Sequence, residues 1–148
     1  MKFPFSCQSG KVDCGPACLK MIAAFYEQHY ELDFLKKKCR VRKNGVSMHD
    51  IFRAGKAIGF RCTGVRMTID SLKEIVRRTP LILHYSKNHF VVVYKTPKSE
   101  GKGLYHIADP ANGLIKVRGV EFMKNWMGST SRKNALSTGY ALLVEPAS

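Results

Sequence analysis

The chain lacks the patterns that would place it in several large classes of protein. None of its apolar runs approaches the roughly 20 residues of a membrane-spanning helix. Its first residues, Met1 to Cys7, lack the apolar core of a secretory signal, so we expect the chain to face the cytosol. It also has no GxxxxGK phosphate loop and no repeat with a period of roughly 20–50 residues. Its 148 residues, 45% of them hydrophobic, favour a single domain over residues 1–148.

The cysteines lack a pairing pattern. The chain has five cysteines, an odd number, and no Cys-x-x-Cys pair. A disulfide framework favours an even set in a secreted chain, and a zinc site needs four ligands in close pairs. We therefore expect reduced thiols, no metal and no cofactor.

Acidic residues are also few, with 11 Asp and Glu against 25 Lys and Arg, which gives a formal charge of +14. Such a charge attracts nucleic acid, anionic lipid or acidic peptides. The densest basic block, from Lys36 to Lys43, has no aromatic residues among its charges, which argues against single-strand binding. We interpret it as a solvated helix end and loop. We expect no nucleic-acid partner, although a nucleic-acid-binding domain stays an alternative.

The hydrophobic pattern predicts helices first and strands later. Apolar residues at helical spacing predict a helix from Ala17 to Tyr30, opened by Gly15-Pro16, and Ser47-x-x-Asp50 predicts a capping box. The other predicted helices are 32–39, 47–58, 71–78 and 120–126. The predicted strands are 60–67, 81–85, 89–94, 104–109, 114–118 and 139–145, with a polar loop at 129–134. This order predicts an α+β fold, with an N-terminal helical half packed on a C-terminal antiparallel sheet.

Cys14 is the candidate nucleophile because it lies at the start of the first predicted helix. The positive end of the helix dipole favours a thiolate there. We expect the preceding loop to leave its sulfur accessible, and Gly15 to leave room for a substrate. The alternative is a buried, unreactive cysteine, which fits Cys18, one helical turn later.

His89 and Asp109 are the candidates for the base and for the group that orients it. His89 opens an apolar strand after a short polar turn, and Asp109 ends the next strand. Neighbouring antiparallel strands bring the start of one beside the end of the next, so the two side chains can meet. The alternatives are a histidine exposed at the hairpin and a carboxylate that only starts the turn at Pro110.

Gln8 is the candidate oxyanion donor, six residues before Cys14 in the loop that leads into the helix. Its side-chain amide and the Cys14 N–H can jointly hold a developing negative oxygen. One such donor contributes on the order of 10²–10³ in rate. The alternative for Gln8 is an ordinary surface glutamine.

Together these residues resemble one family. Residues 8–19 are similar to the cysteine motif of the double-glycine, bacteriocin-processing peptidases, residues 88–93 to their histidine motif and residues 109–113 to their aspartate motif. The order and spacing match over nearly the whole chain. The resemblance implies a papain-like cysteine peptidase. In it, Cys14 is the nucleophile, His89 the base, Asp109 the orienting group and Gln8 the oxyanion donor.

The resemblance also implies a role in peptide export. Members of the family typically form the N-terminal cytosolic domain of ABC exporters and cleave leader peptides after Gly-Gly. The expected substrate is then an amphipathic leader helix ending in Gly-Gly, bound through a narrow, glycine-selective cleft. The expected partners are transmembrane and nucleotide-binding domains at the cytoplasmic side of the bacterial inner membrane. Because such leaders are often acidic, the basic surface would steer them.

Other functions stay open beside this one. A non-catalytic leader-docking module on the same fold would be expected to lack the cysteine, whereas all four site residues are present. A nucleic-acid-binding domain rests on charge alone, and a different thiol acyltransferase would use the same scaffold. The sequence leaves open the cargo, and whether the chain is an excised domain or a stand-alone peptidase.

Overall fold

The structure is a computed structural model that describes residues 2–10, 12–99, 103–128 and 137–147, without the side chain of Lys87. The helices are α1 (Cys14–Phe25), α2 (Leu32–Cys39), α3 (Met48–Ala57), α4 (Ile69–Val76) and α5 (Gly119–Met127). The strands are β1 (Phe60–Met67), β2 (Leu81–Tyr85), β3 (His89–Lys95), β4 (Tyr105–Asp109), β5 (Gly113–Val117) and β6 (Gly139–Pro146). The polar loop predicted at 129–134 lies outside the described residues. Within the described part of the chain, no helix has the length and apolarity that a membrane span needs.

The first helix is displaced from its predicted bounds. It begins at Cys14 rather than at Ala17, and it ends at Phe25 rather than at Tyr30. It ends early because Glu27 takes a left-handed conformation with φ 64°, which a helix cannot continue through. Cys14 therefore lies in the first turn of the helix, at its positive end.

The predicted capping box at α3 is confirmed, whereas α4 begins at Ile69 and ends at Val76, two residues before the predicted bounds of 71–78. The Ser47 hydroxyl accepts the Asp50 N–H at 3.1 Å, and the Asp50 carboxylate accepts the Ser47 N–H at 2.8 Å, which completes a capping box. Thr68 caps α4 by accepting the Ser71 N–H. These side chains satisfy backbone donors that a helix start otherwise leaves unpaired.

All six strands form one antiparallel sheet in the order β1-β6-β2-β3-β4-β5. The turn Ser86–Asn88 joins β2 to β3, and a short turn from Pro110 joins β4 to β5, both as predicted, while β3 pairs with β4. Strand β6 lies between β1 and β2 and pairs with both, for example Phe60 with Pro146 and Ile82 with Leu142. The sequence pattern predicts β6 as a strand but does not indicate which strands it pairs with.

The sheet is buried between two layers of helices. Along β2, Leu81 and Leu83 pack with α4 and α5, whereas Ile82 packs with α1, α2 and α3. Along β3, Val91 packs with the layer of α4 and α5, and Val92 packs with the layer of α1, α2 and α3. Two buried faces explain why β3 is a continuous apolar run rather than an alternating one. The α+β prediction is confirmed, with α4 and α5 as a second layer.

Candidate active site

The first turn of α1 lies against the start of β3. Helix α1 packs on β3, and the Cys14 thiol is hydrogen-bonded to His89 and accepts the backbone N–H of Phe90. Cys14 is only 7% exposed, so its sulfur is less accessible than predicted. The cause is strand β3, which covers the thiol with the two residues that bind it.

His89 meets Asp109 through the register of the sheet. Val92 pairs with Ala108, and continuing this register by one pair sets Asp109 opposite Val91. His89 is two positions before Val91 on the same face, which makes it the diagonal neighbour of Asp109. The gap is closed by a hydrogen bond of 2.7 Å between His89 Nε2 and Asp109 Oδ1. With Nε2 bound to the carboxylate, Nδ1 is the nitrogen left for the Cys14 thiol.

Asp109 is 5% exposed and holds its own turn as well as His89. Its Oδ1 accepts the Ala111 N–H at 2.9 Å, and its Oδ2 accepts Nδ2 of Asn112 at 3.0 Å. The turn-starting role and the orienting role, posed as alternatives from the sequence, therefore coexist in one side chain. The sequence predicts Asn112 only as a turn residue, and its position in the aspartate motif is the signal for this contact.

The hydrogen-bonded pair favours charge separation. Asp109, and then Cys14, bind the imidazole and raise the pKa of His89 to about 9, against the opposing effect of burial. Burial alone would raise the pKa of the Cys14 thiol, but bonds from His89 and the Phe90 N–H lower it overall. Burial also opposes ionisation of Asp109, whose pKa is nonetheless lowered, chiefly by His89 and Asn112. These directions favour a thiolate beside an imidazolium.

Three other thiols, two buried and one partly buried, have no such support. Burial raises the pKa of Cys39 to about 12 and that of Cys62 to about 11. Burial, with the nearby Cys14 and Asp109, raises the pKa of Cys18 well above its usual range. Cys14 is the one cysteine among these four whose pKa is lowered, because a histidine and backbone N–H groups bind its sulfur.

The turn before His89 is held by two residues that sequence reasoning missed. Asn88 adopts a left-handed conformation with φ 54°, which asparagine tolerates better than most residues. Its Oδ1 lies 3.0 Å from Nε2 of His84, whose ring stacks on Phe90. The sequence signal for this contact is that His84 and Asn88 lie on either side of a short predicted hairpin turn. The two contacts lie beside the turn that leads into β3.

Gln8 lies in the same region but makes no described contact with Cys14. Its backbone N–H donates to the Pro110 carbonyl at 3.0 Å, which ties it to the turn that Asp109 starts. Its Nε2 donates to the Gly10 carbonyl at 2.6 Å, and its Oε1 is buried without a partner among the described residues. An amide nitrogen has two hydrogens, so the second N–H is left for another acceptor.

Gly15 serves packing rather than substrate access. A Cβ at this position would overlap the side chains of Val46 and Ile51. Because both neighbours are buried, the glycine lets α1 approach the start of α3 closely. The prediction that Gly15 leaves room for a substrate is thus replaced by a packing reason.

No cluster of three or more His, Cys, Asp or Glu side chains able to hold a metal occurs among the described residues. The side chains at the site are a thiol, an imidazole, a carboxylate and an amide. This set can attack a carbonyl carbon and transfer a proton to a leaving group.

Comparison with known proteins agrees with this chemistry. The model of the Peptidase C39 family matches residues 2–132. The colicin V secretion/processing ATP-binding protein CvaB of Escherichia coli is 26% identical over 95% of this chain, and the lactococcin-G-processing and transport ATP-binding protein LagD of Lactococcus lactis subsp. lactis is 29% identical over 93%. The chain spans about a fifth of their length, 20% and 22% respectively.

Solved structures show the same fold. A double glycine motif protease from an AMS/PCAT transporter, crystallised with the leader peptide, is 27% identical with a TM-score of 0.80, over 99% of this chain and 93% of that one. The peptidase domain of Streptococcus ComA has a TM-score of 0.81 at 24% identity, over 98% and 99% of the two chains. The family resemblance drawn from the three motifs is confirmed. The chain belongs to the peptidase C39 family, a family of cysteine peptidases.

Proposed function

We propose that this chain is a cysteine endopeptidase that cleaves leader peptides after Gly-Gly, with Cys14 as nucleophile, His89 as base and Asp109 as orienting group. One observation carries the proposal: His89 binds the Asp109 carboxylate at 2.7 Å and also interacts with the Cys14 thiol, whose pKa it lowers. The lowered pKa of Cys14 and the raised pKa of His89 support a reactive thiolate beside an imidazolium.

In the proposed mechanism, the Cys14 thiolate attacks the carbonyl carbon of the scissile bond. A C–S bond forms, and the carbonyl π electrons move to oxygen. The His89 imidazolium then gives its proton to the leaving nitrogen as the C–N bond breaks, which leaves a thioester on Cys14. Water attacks the thioester while neutral His89 takes its proton, and the C–S bond breaks to restore the thiolate.

The backbone N–H of Cys14 and the free amide N–H of Gln8 would hold the oxygen of the tetrahedral intermediate. The bond from the Gln8 N–H to Pro110 supports this role, because it anchors the glutamine beside the turn of Asp109. Donors fixed before the reaction stabilise the developing charge without reorganising.

Two features support a Gly-Gly leader as substrate. The relative with a TM-score of 0.80 is a double glycine motif protease crystallised with a leader peptide. The formal charge of +14 would steer an acidic leader toward the domain.

We extend the proposal to the setting of the enzyme. CvaB and LagD are named as secretion or transport ATP-binding proteins with a processing function, and the chain corresponds to about a fifth of each. The chain would then act as the N-terminal peptidase domain of an ABC exporter. Its partners would be transmembrane and nucleotide-binding domains, at the cytoplasmic side of the bacterial inner membrane.

The test is cleavage of a synthetic precursor, a leader ending in Gly-Gly followed by a short cargo, read out by mass spectrometry. We expect cleavage after the second glycine by the wild-type protein and none by Cys14→Ala. Cys7→Ala, which removes an exposed thiol, is the matched control and should cleave normally. Cleavage by Cys14→Ala would remove Cys14 from the mechanism. Binding of the leader without cleavage by the wild type would instead support a docking module.

A further inference from the structure

Asp13, the residue before Cys14, carries a buried carboxylate that the mechanism above does not use. It is 2% exposed, and a buried charge is costly unless it is paired. Asp13 is the N-cap residue of α1, where an aspartate usually accepts an N–H of the first helical turn. Here its side chain makes no such bond. The carboxylate is therefore directed away from the helix.

The Asp13 carboxylate binds one group from the preceding loop and one from another helix. Its Oδ2 accepts the hydroxyl of Ser9 at 2.7 Å and lies 3.3 Å from Nζ of Lys36 on α2. The ammonium group compensates the buried charge, and the hydroxyl bond attaches the loop to it. Asp13 thus links the loop before Cys14 to helix α2.

The same loop positions Gln8. We define the Gln8 loop as residues 8–10 with 12 and 13. The Gly10 carbonyl accepts both Nε2 of Gln8, at 2.6 Å, and the backbone N–H of Asp13, at 3.3 Å. A Cβ on Gly10 would lie 3.3 Å from Oδ2 of Asp13, so the loop lies tightly against the carboxylate. Gln8 and Asp13 therefore share one carbonyl as their common anchor.

We propose that Asp13 is a positioning residue that holds the Gln8 loop in the shape the oxyanion site requires, with Lys36 supporting it from α2. The inference rests on the proposed function, in which Gln8 and the Cys14 N–H stabilise the oxyanion. No described side-chain hydrogen bond or ion pair joins Asp13 to Cys14, His89 or Asp109. Asp13 should therefore affect oxyanion stabilisation and leave the reactivity of the thiolate unchanged.

Two reactions of the same thiol separate these effects. With iodoacetamide, the Cys14 sulfur displaces iodide from a saturated carbon, and no oxyanion develops. With p-nitrophenyl acetate, the sulfur bonds to the carbonyl carbon, negative charge develops on oxygen, and the C–O bond breaks to release p-nitrophenolate. Only the second reaction uses the oxyanion donors. The signal of Cys14→Ala is subtracted in both assays to remove the other thiols.

We expect Asp13→Asn to slow acylation by p-nitrophenyl acetate about 10-fold, less than the 10²–10³ of a whole donor, because the donors are misplaced rather than removed. The rate of alkylation by iodoacetamide and its pH profile should stay those of the wild type. Asp33→Asn, an exposed aspartate on α2, is the matched control and should change neither rate.

Ser9→Ala and Lys36→Gln test the two partners of Asp13 separately. Ser9 is exposed and Lys36 is 31% exposed, so neither change removes a core side chain. Each should slow acylation while sparing alkylation, by about two- to fivefold for a partly exposed partner. Lys37→Gln, the exposed neighbour of Lys36, is the control and should change nothing.

An equal loss of both reactions in Asp13→Asn would overturn the proposal, because Asp13 would then act on the thiolate or on the fold. Unchanged acylation in Asp13→Asn, Ser9→Ala and Lys36→Gln would overturn it as well. Neither assay needs a leader peptide. The wild-type protein could fail to cleave Gly-Gly precursors while Asp13→Asn still slows acylation and not alkylation. That result would contradict the proposed substrate and support the role of Asp13.

Discussion

Asp109 Oδ1 accepts a hydrogen bond from His89 Nε2 at 2.7 Å and, on the same oxygen, the Ala111 N–H at 2.9 Å. The backbone bond fixes the carboxylate in space, so the imidazole that binds it has one favoured orientation. The hydrogen bond to Asp109 is also the first cause of the raised pKa of His89, and the negative charge of Asp109 adds to it. A substitution of Asp109 that keeps its shape and removes its charge can therefore separate its effect on the orientation of His89 from its effect on the pKa of His89.

Asp109→Asn should keep the geometry and remove the charge. Without the carboxylate the pKa of His89 falls from about 9 toward its ordinary value, and the pKa of Cys14 rises because the imidazolium is less stable. The range of pH in which Cys14 is a thiolate while His89 is an imidazolium then becomes narrower at both ends. We expect alkylation of Cys14 by iodoacetamide near neutral pH to slow about 10-fold, the equivalent of one pKa unit. The measurement is the alkylation rate against pH.

The control for this prediction is Asp70→Asn, which changes an exposed aspartate in the first turn of α4. Its alkylation profile should match that of the wild type. A wild-type profile in Asp109→Asn would show that the charge of Asp109 does not support the pair. His89→Ala should slow alkylation near neutral pH further still, since it removes the hydrogen bond to the thiol.

Gly15→Ala should destabilise the fold. The added Cβ overlaps Val46 and Ile51, both buried, and inserting a methyl group into a packed core costs typically 1–3 kcal/mol. The measurement is the free energy of unfolding in urea. Gly64→Ala is the control, because a Cβ there meets no atom within 4 Å, and it should leave stability nearly unchanged. Equal stability of the two variants would contradict the close packing of α1 on α3.

Asp50→Asn should lower stability in a pH-dependent way. Burial alone would raise the pKa of Asp50, but the Ser47 N–H and Arg53 lower it to about 2 in the fold, against 3.8 for a free side chain. A lowered pKa stabilises the fold above about pH 4, and this contribution is lost as the pH falls toward about 2. The shift corresponds to about 2 kcal/mol at neutral pH.

The measurement is the difference in unfolding free energy between Asp50→Asn and the wild type, in urea at about pH 6 and about pH 3. The difference should shrink at the lower pH. Asp70→Asn is again a suitable control, since Asp70 is exposed. A difference that does not change with pH would assign the effect to the cap geometry alone.

Tyr85→Phe should stabilise the protein. The Tyr85 hydroxyl is buried without a hydrogen-bond partner among the described residues, and burial, with Asp109 and Glu121, raises its pKa. The ring itself packs edge-on against Phe122 and would be retained. Removing an unpaired buried hydroxyl should raise the unfolding free energy by about 1 kcal/mol.

The comparison for this prediction is Tyr140→Phe, since Tyr140 is 52% exposed and its hydroxyl can bind water. Its stability in urea should be close to that of the wild type. If Tyr85→Phe instead lowers stability, the hydroxyl has a bound partner, such as an ordered water beside Asp109.

The sequence predicted the secondary-structure elements better than the contacts that surround the candidate site. Helix α2 and strand β1 have the predicted bounds, because periodic apolar residues and clear end signals are local features. The meeting of His89 and Asp109 was predictable from adjacent antiparallel strands. The fold class and the family followed from the same motifs and are confirmed.

What the sequence could not supply depends on contacts between distant segments. The end of α1 is set by the left-handed conformation of Glu27, a residue with no strong preference for it. The burial of Cys14 and the packing reason for Gly15 arise from β3 and from the start of α3. The link from Asp13 to Lys36 joins two helices, and a hydrophobic pattern carries no information about such a pair.

The position of β6 has a consequence for how the protein folds. Strand β6 follows all other strands in the chain, yet it lies between β1 and β2 and is the only link of β1 to the rest of the sheet among the described residues. The local hairpins of β2 to β5 can form early, whereas β1 must wait for a partner far along the chain. Such long-range pairing slows folding, since loop-closure entropy is lost before the contacts form. During synthesis, β1 therefore keeps an unpaired edge until β6 emerges, and this interval is when the chain is most open to aggregation.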